Sequence, residues 1–205
     1  MDFDKGTEAI DNYLKHYSFI KYDKGSLPNV PSEYRVNSIC MESIKHRVNA
    51  LAHIPDKVKS VEICYEGVKY NGLALRYVPD NLRTEEICIK AVENNGCAIQ
   101  YVPDRFRNEE LYLSAVKNGF SLQYVPDNLR TEILCLASVI NNGLALQYVP
   151  DNLRTELLCL AAIKSNAYAL QDIPYHLRTE EICGIALKKN KKLLEFVPEI
   201  YSFFD

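Results

Sequence analysis

The sequence is poor in the residues from which metal and redox sites are usually built. Its 205 residues include only four histidines, and none of the seven cysteines belongs to a CxxC pair. The spacing typical of zinc ribbons and thioredoxin-like redox sites is therefore absent. We interpret the cysteines as reduced thiols of a cytosol-like compartment and expect no metal and no cofactor.

Long apolar runs and an excess of positive charge are also missing. No apolar run approaches the ~18–20 residues of a membrane-spanning helix, so no transmembrane segment is expected. The first ten residues, MDFDKGTEAI, are acidic and lack the apolar region of a Sec signal peptide. The formal net charge of −3 argues against a nucleic-acid partner. These absences predict a soluble, cytoplasmic protein.

Catalytic motifs are absent as well. The glycines recur singly and form no phosphate-binding loop, and no Ser-His-Asp, paired-carboxylate or metal-ligand pattern rises above chance. The histidines show no spacing that places a base beside a cysteine thiol. We therefore predict no catalytic residue and interpret the chain as a non-enzyme.

What the sequence does contain is a repeated pattern. The nonapeptide YVPDNLRTE occurs three times, at residues 77–85, 124–132 and 148–156. Eight of the nine prolines follow one another at intervals of 24 residues, with a single interval of 23: Pro31, Pro55, Pro79, Pro103, Pro126, Pro150, Pro174 and Pro198. Nine positions after the proline stands a cysteine, or Tyr112 in one repeat, and twelve positions after it stands a small residue. The chain is thus a tandem repeat.

Each repeat contains the signals of a short α-helix followed by a second helical segment. In residues 79–102, Thr84 is a good N-cap, and the apolar residues behind it fall on one face of an α-helix. Gly96 is expected to end this helix in the left-handed conformation. Residues 97–102 are then expected to form a short α or 3₁₀ helix. Equivalent caps are Ser60, Asn108, Thr131, Thr155 and Thr179.

These signals predict an all-α fold, an α-solenoid of about seven two-helix repeats over residues 31–198. Residues 1–30 would form an N-terminal helical cap and residues 199–205 a C-terminal cap. In the N-terminal cap, one helical face would cover the first repeat through Ile10, Tyr13, Leu14 and Tyr17. The alternative interpretation is a β-strand in the segment LALQYV, as in a leucine-rich repeat.

The repeat, with its Ala91-Val92, Asn95-Gly96 and AIQYV (98–102) elements, resembles a family of short helical repeats of unknown function. Such repeats occur in secreted effectors of intracellular bacteria, in other bacterial proteins and in large DNA viruses. The unit is also similar to the leucine-rich-repeat variant, in which an α-helix alternates with a 3₁₀ helix. The resemblance covers about four fifths of the chain and implies a fold and a possible context, delivery into a host cell cytosol. It names no activity and no catalytic residue.

Two columns of the repeat are candidates for a binding surface. A basic residue recurs four positions after the proline. It either forms a local ion pair with the aspartate that follows the proline, or contributes to a row of cations that binds an anionic partner. An aromatic residue recurs just before the Val-Pro pair, and either packs between repeats or contacts a partner. The residues that we expect to carry partner binding are Tyr77, Tyr101, Arg107, Tyr124, Arg130, Tyr148 and Arg154.

The cysteine column, by contrast, is expected to be part of the core. Cysteines of neighbouring repeats would lie ~8–10 Å apart, too far to share a metal ion or to form a disulfide. The leading interpretation of function is therefore a non-enzymatic scaffold that binds a protein or peptide along the repeat surface. The alternatives are an enzyme with a site at a cap or between repeats, and a binder of nucleic acid or acidic lipid through the arginine column.

Overall fold

The computed structural model describes residues 3–23, 25–47, 49–117 and 121–204, with side chains described between residues 7 and 201 of these ranges. Every regular element in the described ranges is helical, and none of their residues lies in a β-strand. The predicted all-α fold is thus confirmed. The leucine-rich-repeat alternative is wrong, because the segment that would have carried the strand, Gly143–Tyr148, is a 3₁₀ helix.

The chain divides into two compact units, Met1–Arg107 and Asn108–Asp205. The α-helices of the first unit are α1 (Phe3–Lys21), α2 (Asn37–His46), α3 (Val61–Tyr70) and α4 (Glu85–Asn94). Those of the second are α5 (Glu109–Lys117), α6 (Glu132–Asn141), α7 (Glu156–Ser165) and α8 (Glu180–Lys189). Within each unit, each α-helix packs against the next one along the chain, as in an α-solenoid. The predicted limits of the repeat region and its caps stay a prediction.

The segments between the α-helices are 3₁₀ helices of two kinds. The first kind follows each α-helix of the repeats and has up to six residues: Ala50–His53, Gly72–Tyr77, Gly96–Tyr101, Leu122–Tyr124, Gly143–Tyr148, Ala167–Asp172 and Lys191–Phe196. A three-residue turn follows most of the prolines: Ser32–Tyr34, Asp80–Leu82, Asp104–Phe106, Asp127–Leu129, Asp151–Leu153 and Tyr175–Leu177. Further 3₁₀ segments are Leu27–Asn29, near the first turn, and Glu199–Phe204, at the end of the chain. The predicted second helix is thus 3₁₀, and in most repeats the proline turn adds a third helical segment.

The N-caps lie where the sequence predicts them. The Thr84 hydroxyl accepts a hydrogen bond from the Ile87 backbone N–H at 3.3 Å, which satisfies one of the free donors at the start of α4. The same bond to the third residue of the helix is made by Ser60, Asn108, Thr131, Thr155 and Thr179. An asparagine then ends the α-helix and starts the 3₁₀ helix: the Asn95 Oδ1 accepts from the Cys97 N–H at 3.0 Å.

The glycines after these asparagines have a different role from the predicted one. Asn142 ends α6 with an extended φ of −148°, and Gly143 itself does not adopt a left-handed φ. A Cβ atom at Gly143 would instead lie 2.3 Å from the Ala162 carbonyl oxygen and 2.8 Å from the Asn166 nitrogen. The expectation of a left-handed helix end is therefore wrong: glycine is needed because the backbone of the next repeat approaches closely.

The core consists of the same columns in every repeat. In α4 the buried residues are Ile87, Cys88, Ala91 and Val92, and the equivalent positions are buried in the other repeat helices. The apolar residues that follow the predicted caps on one helical face are buried, as a core-facing side requires: Ile87, Val92, Leu111, Val116, Leu134, Val139, Leu158 and Ile163. The cysteine column is buried as well, with Tyr112 in its place in α5. Burial raises the pKa of the Cys88 thiol from 9.0 to about 11, as expected for a thiol without water around it.

At the N-terminus, α1 packs against α2, and the Tyr13 hydroxyl lies 3.0 Å from the Ser38 Oγ. Ile20 at the end of α1 is fully buried, whereas Ile10 and Leu14 are exposed. The prediction that Ile10 and Leu14 cover the first repeat is therefore wrong, because α1 turns its tyrosines and its C-terminal end to the repeat. Among the described residues no helix is both long and apolar enough to cross a membrane.

Candidate functional site

The site is built on the turn that follows each proline. Pro126 has φ −54°, the value that its ring fixes, and its carbonyl accepts the Leu129 N–H at 2.8 Å. Asp127 and Asn128, the first two residues of this 3₁₀ turn, project outward and are exposed. Arg130 follows the turn, and its side chain is only 13% exposed.

The arginine joins two consecutive repeats through the backbone. Arg130 Nε donates to the Val125 carbonyl at 2.9 Å, at the end of the preceding repeat, and Nη1 donates to the Tyr148 carbonyl at 2.7 Å, at the end of its own repeat. Nη1 also pairs with Asp127 Oδ1 at 2.7 Å. We call this arrangement the arginine clamp. Its bond to a carbonyl 18 residues ahead recurs at Arg35, Arg83, Arg154 and Arg178, and Lys59 makes it to Tyr77 at 2.6 Å.

The contacts of the clamp favour one of the two interpretations of the basic column, the local ion pair. The local pairing with the post-proline aspartate is confirmed, since Arg83, Arg107, Arg130 and Arg154 each pair with the aspartate three residues before. In Arg107, Nε donates to the Val102 carbonyl at 2.9 Å, and in Arg154 it donates to the Val149 carbonyl at 2.9 Å. Most of each guanidinium is thus directed at backbone carbonyls, which argues against a ladder of free cations. Partner binding by Arg107, Arg130 and Arg154 stays a prediction.

The predicted tyrosines lie at the same position of successive repeats and are all half-buried. Tyr77 and Tyr101 belong to the first unit, where the Arg76 guanidinium lies 4.5 Å from the Tyr77 ring centroid and also hydrogen-bonds its hydroxyl. Tyr124 and Tyr148 belong to the second unit. The structure therefore brings Arg130 and Tyr148 together, and divides the predicted set between the two units.

In the second unit, an open groove of about 720 Å³ lies between two consecutive post-proline turns. Its lining residues are Asp127, Asn128, Arg130, Gln147, Tyr148, Val149, Pro150, Asp151, Asn152 and Leu153. Two predicted residues, Arg130 and Tyr148, form part of this lining. The groove is the surface on which the predicted binding residues and the repeated nonapeptide coincide.

The groove is polar and acidic at its rim. The side chains of Asp127 and Asp151 are 82% and 89% exposed, and each holds an arginine by one oxygen while the rest of the carboxylate faces solvent. Gln147 donates to the Leu144 carbonyl at 3.0 Å, which fixes its amide and leaves its own oxygen available as an acceptor. Among the described residues, Asn128 and Asn152 form no side-chain hydrogen bond and are exposed. The groove can therefore donate and accept hydrogen bonds through the exposed amides of Asn128 and Asn152 and through the oxygen of Gln147.

The aromatic column changes at its C-terminal end. Asp172 stands where Tyr148 stands one repeat earlier, and its carbonyl accepts the clamp from Arg154 at 3.1 Å. Burial raises the pKa of the Asp172 carboxyl, and the positive charge of Arg154 opposes this shift. The clamp thus tolerates a change of side chain because it binds only the backbone.

The family model for the domain of unknown function DUF4116 matches the chain at residues 37–83, 60–107, 108–154 and 155–201. Together these matches span most of the sequence, and each is about two repeats long. The chain belongs to the DUF4116 family. Comparisons with curated proteins and with solved structures found no significant match. The DUF4116 unit is thus a pair of the 24-residue repeats, which agrees with the resemblance to short repeats of unknown function.

Sequence reasoning missed the amide side chains of this DUF4116 groove. Asn128 and Asn152 are the third residue of each PDN segment. These residues could have been identified because the asparagine side chain takes part neither in the hydrogen bond of the turn nor in the arginine clamp. In the first unit, Arg105 occupies the equivalent position, and its guanidinium carbon lies 4.5 Å from the Phe106 ring centroid. The repeats therefore differ in the side chain that they expose at this position.

Proposed function

We propose that this DUF4116 protein is a non-enzymatic binding scaffold, and that the groove of the second unit holds an extended segment of another protein. The observation that carries the proposal is the pair of exposed amides, Asn128 and Asn152, at equivalent positions of consecutive repeats. Asparagine amides can pair with both the N–H and the carbonyl of a peptide backbone. The fold leaves these two amides exposed and available to pair with a peptide backbone.

The spacing of the repeats suits such a segment. Neighbouring repeats pack at the usual helix-to-helix distance of ~8–10 Å, and an extended peptide rises ~3.3 Å per residue. Two equivalent asparagines would therefore meet every third residue of the bound segment. Tyr148, half-buried between them, supplies an aromatic surface of the type that is common at binding hot spots.

The lining supports binding better than catalysis. It contains no cysteine, serine or histidine, so it offers no Ser–His or Cys–His pair. The alternative of an anion-binding column has less support, since the guanidiniums are engaged with carbonyls and aspartates. The context implied by the family resemblance, a bacterial or viral protein acting inside another cell, enters the proposal only as the expected location of the partner.

A library of linear peptides displayed on phage tests this proposal. We would select against the full chain, then measure the Kd of enriched peptides by fluorescence anisotropy with the wild type and with the Asn128→Ala/Asn152→Ala variant. The loss of two amide contacts should weaken binding roughly 30-fold. The matched control is Asn29→Ala/Asn81→Ala, which removes two exposed asparagines of the first unit and should leave Kd within about threefold. No enriched peptide, or equal binding by the groove variant, would contradict the proposal.

A further inference from the structure

The outer side of each repeat's α-helix is formed by the residues seven, ten, eleven and fourteen positions after the proline. The residues at positions eight, nine, twelve and thirteen are buried, so these four lie on the opposite side of the helix. We call the surface that they form in each unit the outer face. Its composition differs between the two units.

In the first unit the outer face carries more charge, although Ile89 on α4 is 41% exposed, and in each of its repeat helices one lysine pairs with one glutamate. In α2, Lys45 pairs with Glu42 at 2.9 Å, and in α3, Lys69 pairs with Glu66 at 3.1 Å. In α4 the order is reversed, with Lys90 and Glu93 3.1 Å apart. Such a face is satisfied by its own residues and by water.

In the second unit the middle of the outer face is apolar. Ile133 and Ile140 on α6 are 66% and 61% exposed, and Leu157 on α7 is 67% exposed. Between these residues lie the half-buried Leu136, Ala137, Leu160 and Ala161. The position of Ile133 and Leu157 is a glutamate in four other repeats: Glu62, Glu86, Glu110 and Glu181. The fold therefore does not require an apolar residue there, and a contiguous exposed apolar patch of this kind marks an interaction surface.

The helices on both sides of the patch carry charges that no neighbour in the same helix neutralises. On α5, Glu110 stands at the first turn and Lys117 at the last, and on α8 the same positions hold Glu181 and Lys188. All four side chains are exposed, and within the described residues none of them forms an ion pair. The pairing seen in the first unit is lost because position eleven holds Ser114 in α5 and Ile185 in α8.

We infer that the outer face of the second unit binds a second copy of this chain, with α6 of one copy antiparallel to α6 of the other. A two-fold axis running across the helices in the interface plane places Ile133 opposite the partner's Ile140, which buries the α6 part of the patch against itself. The same axis places Glu110 opposite the partner's Lys117, and Glu181 opposite the partner's Lys188. On α7 it places Leu157 opposite the exposed Lys164 of the partner subunit, whose aliphatic stem covers the leucine while its ammonium group stays in water. The face is thus complementary to itself in the apolar residues of α6 and in the charges of α5 and α8.

Charge also selects the orientation. The other simple two-fold arrangement, with the axis along the helices, would pair α5 with the partner's α8 in parallel. Glu110 would then face Glu181 and Lys117 would face Lys188, which places like charges together. Only the antiparallel arrangement pairs each carboxylate with an ammonium group.

The size of the face predicts a weak dimer. Helices of about ten residues are ~15 Å long, and four helices at ~9 Å spacing extend over ~35 Å, so each copy contributes about 500 Å² in projection. That lies at the lower end of specific interfaces, for which we expect a Kd in the micromolar range. Dimerisation would leave the groove on the post-proline turns unaffected, so this inference does not depend on the proposed function.

Sedimentation equilibrium of the full chain, from about 1 to 500 μM, tests the inference against a monomer mass of 23.5 kDa. The Ile133→Glu/Ile140→Glu variant should raise the dimer Kd at least 100-fold, because the antiparallel arrangement then places carboxylates opposite each other at the apolar centre of the interface. This variant is expected to fold, since α4 carries Glu86 and Glu93 at the same two positions. The matched control is Val61→Glu in α3, which also replaces a partly exposed apolar residue (46%) in a first helical turn and should leave the Kd unchanged.

A charge swap then tests the orientation. Lys117→Glu should weaken the dimer about tenfold, and adding Glu110→Lys should restore the Kd to within about threefold of the wild type. A chain that stays monomeric at all concentrations would overturn the inference, including the case in which a different protein covers the patch. A dimer that the glutamate variant leaves intact, or a swap that restores nothing, would overturn it as well.

Discussion

Replacing Arg130 with alanine is expected to cost the second unit about 3 kcal/mol of unfolding free energy. The change removes the bond from Nε to the Val125 carbonyl at 2.9 Å and the bond from Nη1 to the Tyr148 carbonyl at 2.7 Å. Each is a hydrogen bond from a charged donor, worth about 1.5–3 kcal/mol, and partial solvation of the two carbonyls lowers the sum. The ion pair with Asp127 adds little, since that carboxylate is 82% exposed.

Three variants separate these terms. Asp127→Ala removes only the exposed ion pair and should cost less than about 1 kcal/mol. Arg130→Lys should cost about 1–2 kcal/mol, because a lysine keeps one carbonyl bond of the clamp. Lys59 shows this, donating to the Tyr77 carbonyl at 2.6 Å and to Asp56 at 2.8 Å. Arg105→Ala is the control, since this arginine is exposed and contacts only the Phe106 ring face in the described structure.

The measurement is urea unfolding of the full chain followed by far-ultraviolet circular dichroism. The expected order of destabilisation is Arg130→Ala, then Arg130→Lys, then Asp127→Ala, with Arg105→Ala near the wild type. If Asp127→Ala costs as much as Arg130→Ala, the arginine acts through its ion pair, and the clamp has been misjudged. If Arg130→Ala costs less than about 1 kcal/mol, water replaces the arginine at the Val125 and Tyr148 carbonyls at no cost in free energy. The clamp would then not stabilise the fold.

Two further predictions concern the core. Gly143→Ala should destabilise by about 2–3 kcal/mol, since its Cβ would lie 2.3 Å from the Ala162 carbonyl oxygen. Gly67→Ala should cost less than about 1 kcal/mol, because its Cβ would lie 3.0 Å from the buried Leu51 side chain rather than against backbone, and alanine favours a helix interior. Equal effects of the two changes in urea unfolding would contradict this. Burial raises the pKa of Cys88 from 9.0 to about 11, so the unfolded chain loses this proton first and stability should fall between pH 9 and 11, by up to ~1.4 kcal/mol per pH unit for each such thiol. The Cys88→Ala variant should lose about 1–2 kcal/mol at pH 7 and show a shallower fall above pH 9; an unchanged pH slope would contradict the assignment.

The sequence was sufficient to predict those parts of the fold that depend on local patterns. The period of the prolines located the repeats, and Thr84 and its equivalents located the helix starts, because an N-cap bonds only three residues ahead. The spacing of Ile87, Cys88, Ala91 and Val92 identified the buried face for the same reason. Each of these signals acts within one helix.

The contacts between repeats could not be predicted in this way. The acceptor of Arg130 is a backbone carbonyl 18 residues ahead, and a carbonyl leaves no mark in the sequence. The role of Gly143 was misjudged because close approach of the next repeat, rather than a left-handed φ, requires glycine. The apolar outer face, by contrast, was present in the sequence as Ile133 and Leu157 in a column of glutamates, and needed only the knowledge that this column faces outward.

The arginine clamp makes the repeats interchangeable. Its acceptor is supplied by His53, Tyr101, Tyr148, Asp172 and Phe196, five residues of four chemical types, because each offers the same carbonyl. A joint of this kind places no demand on the side chain of the residue that supplies the carbonyl. A repeat can therefore be duplicated, removed or exchanged without redesign of this joint, and the side chains beside it remain free to vary.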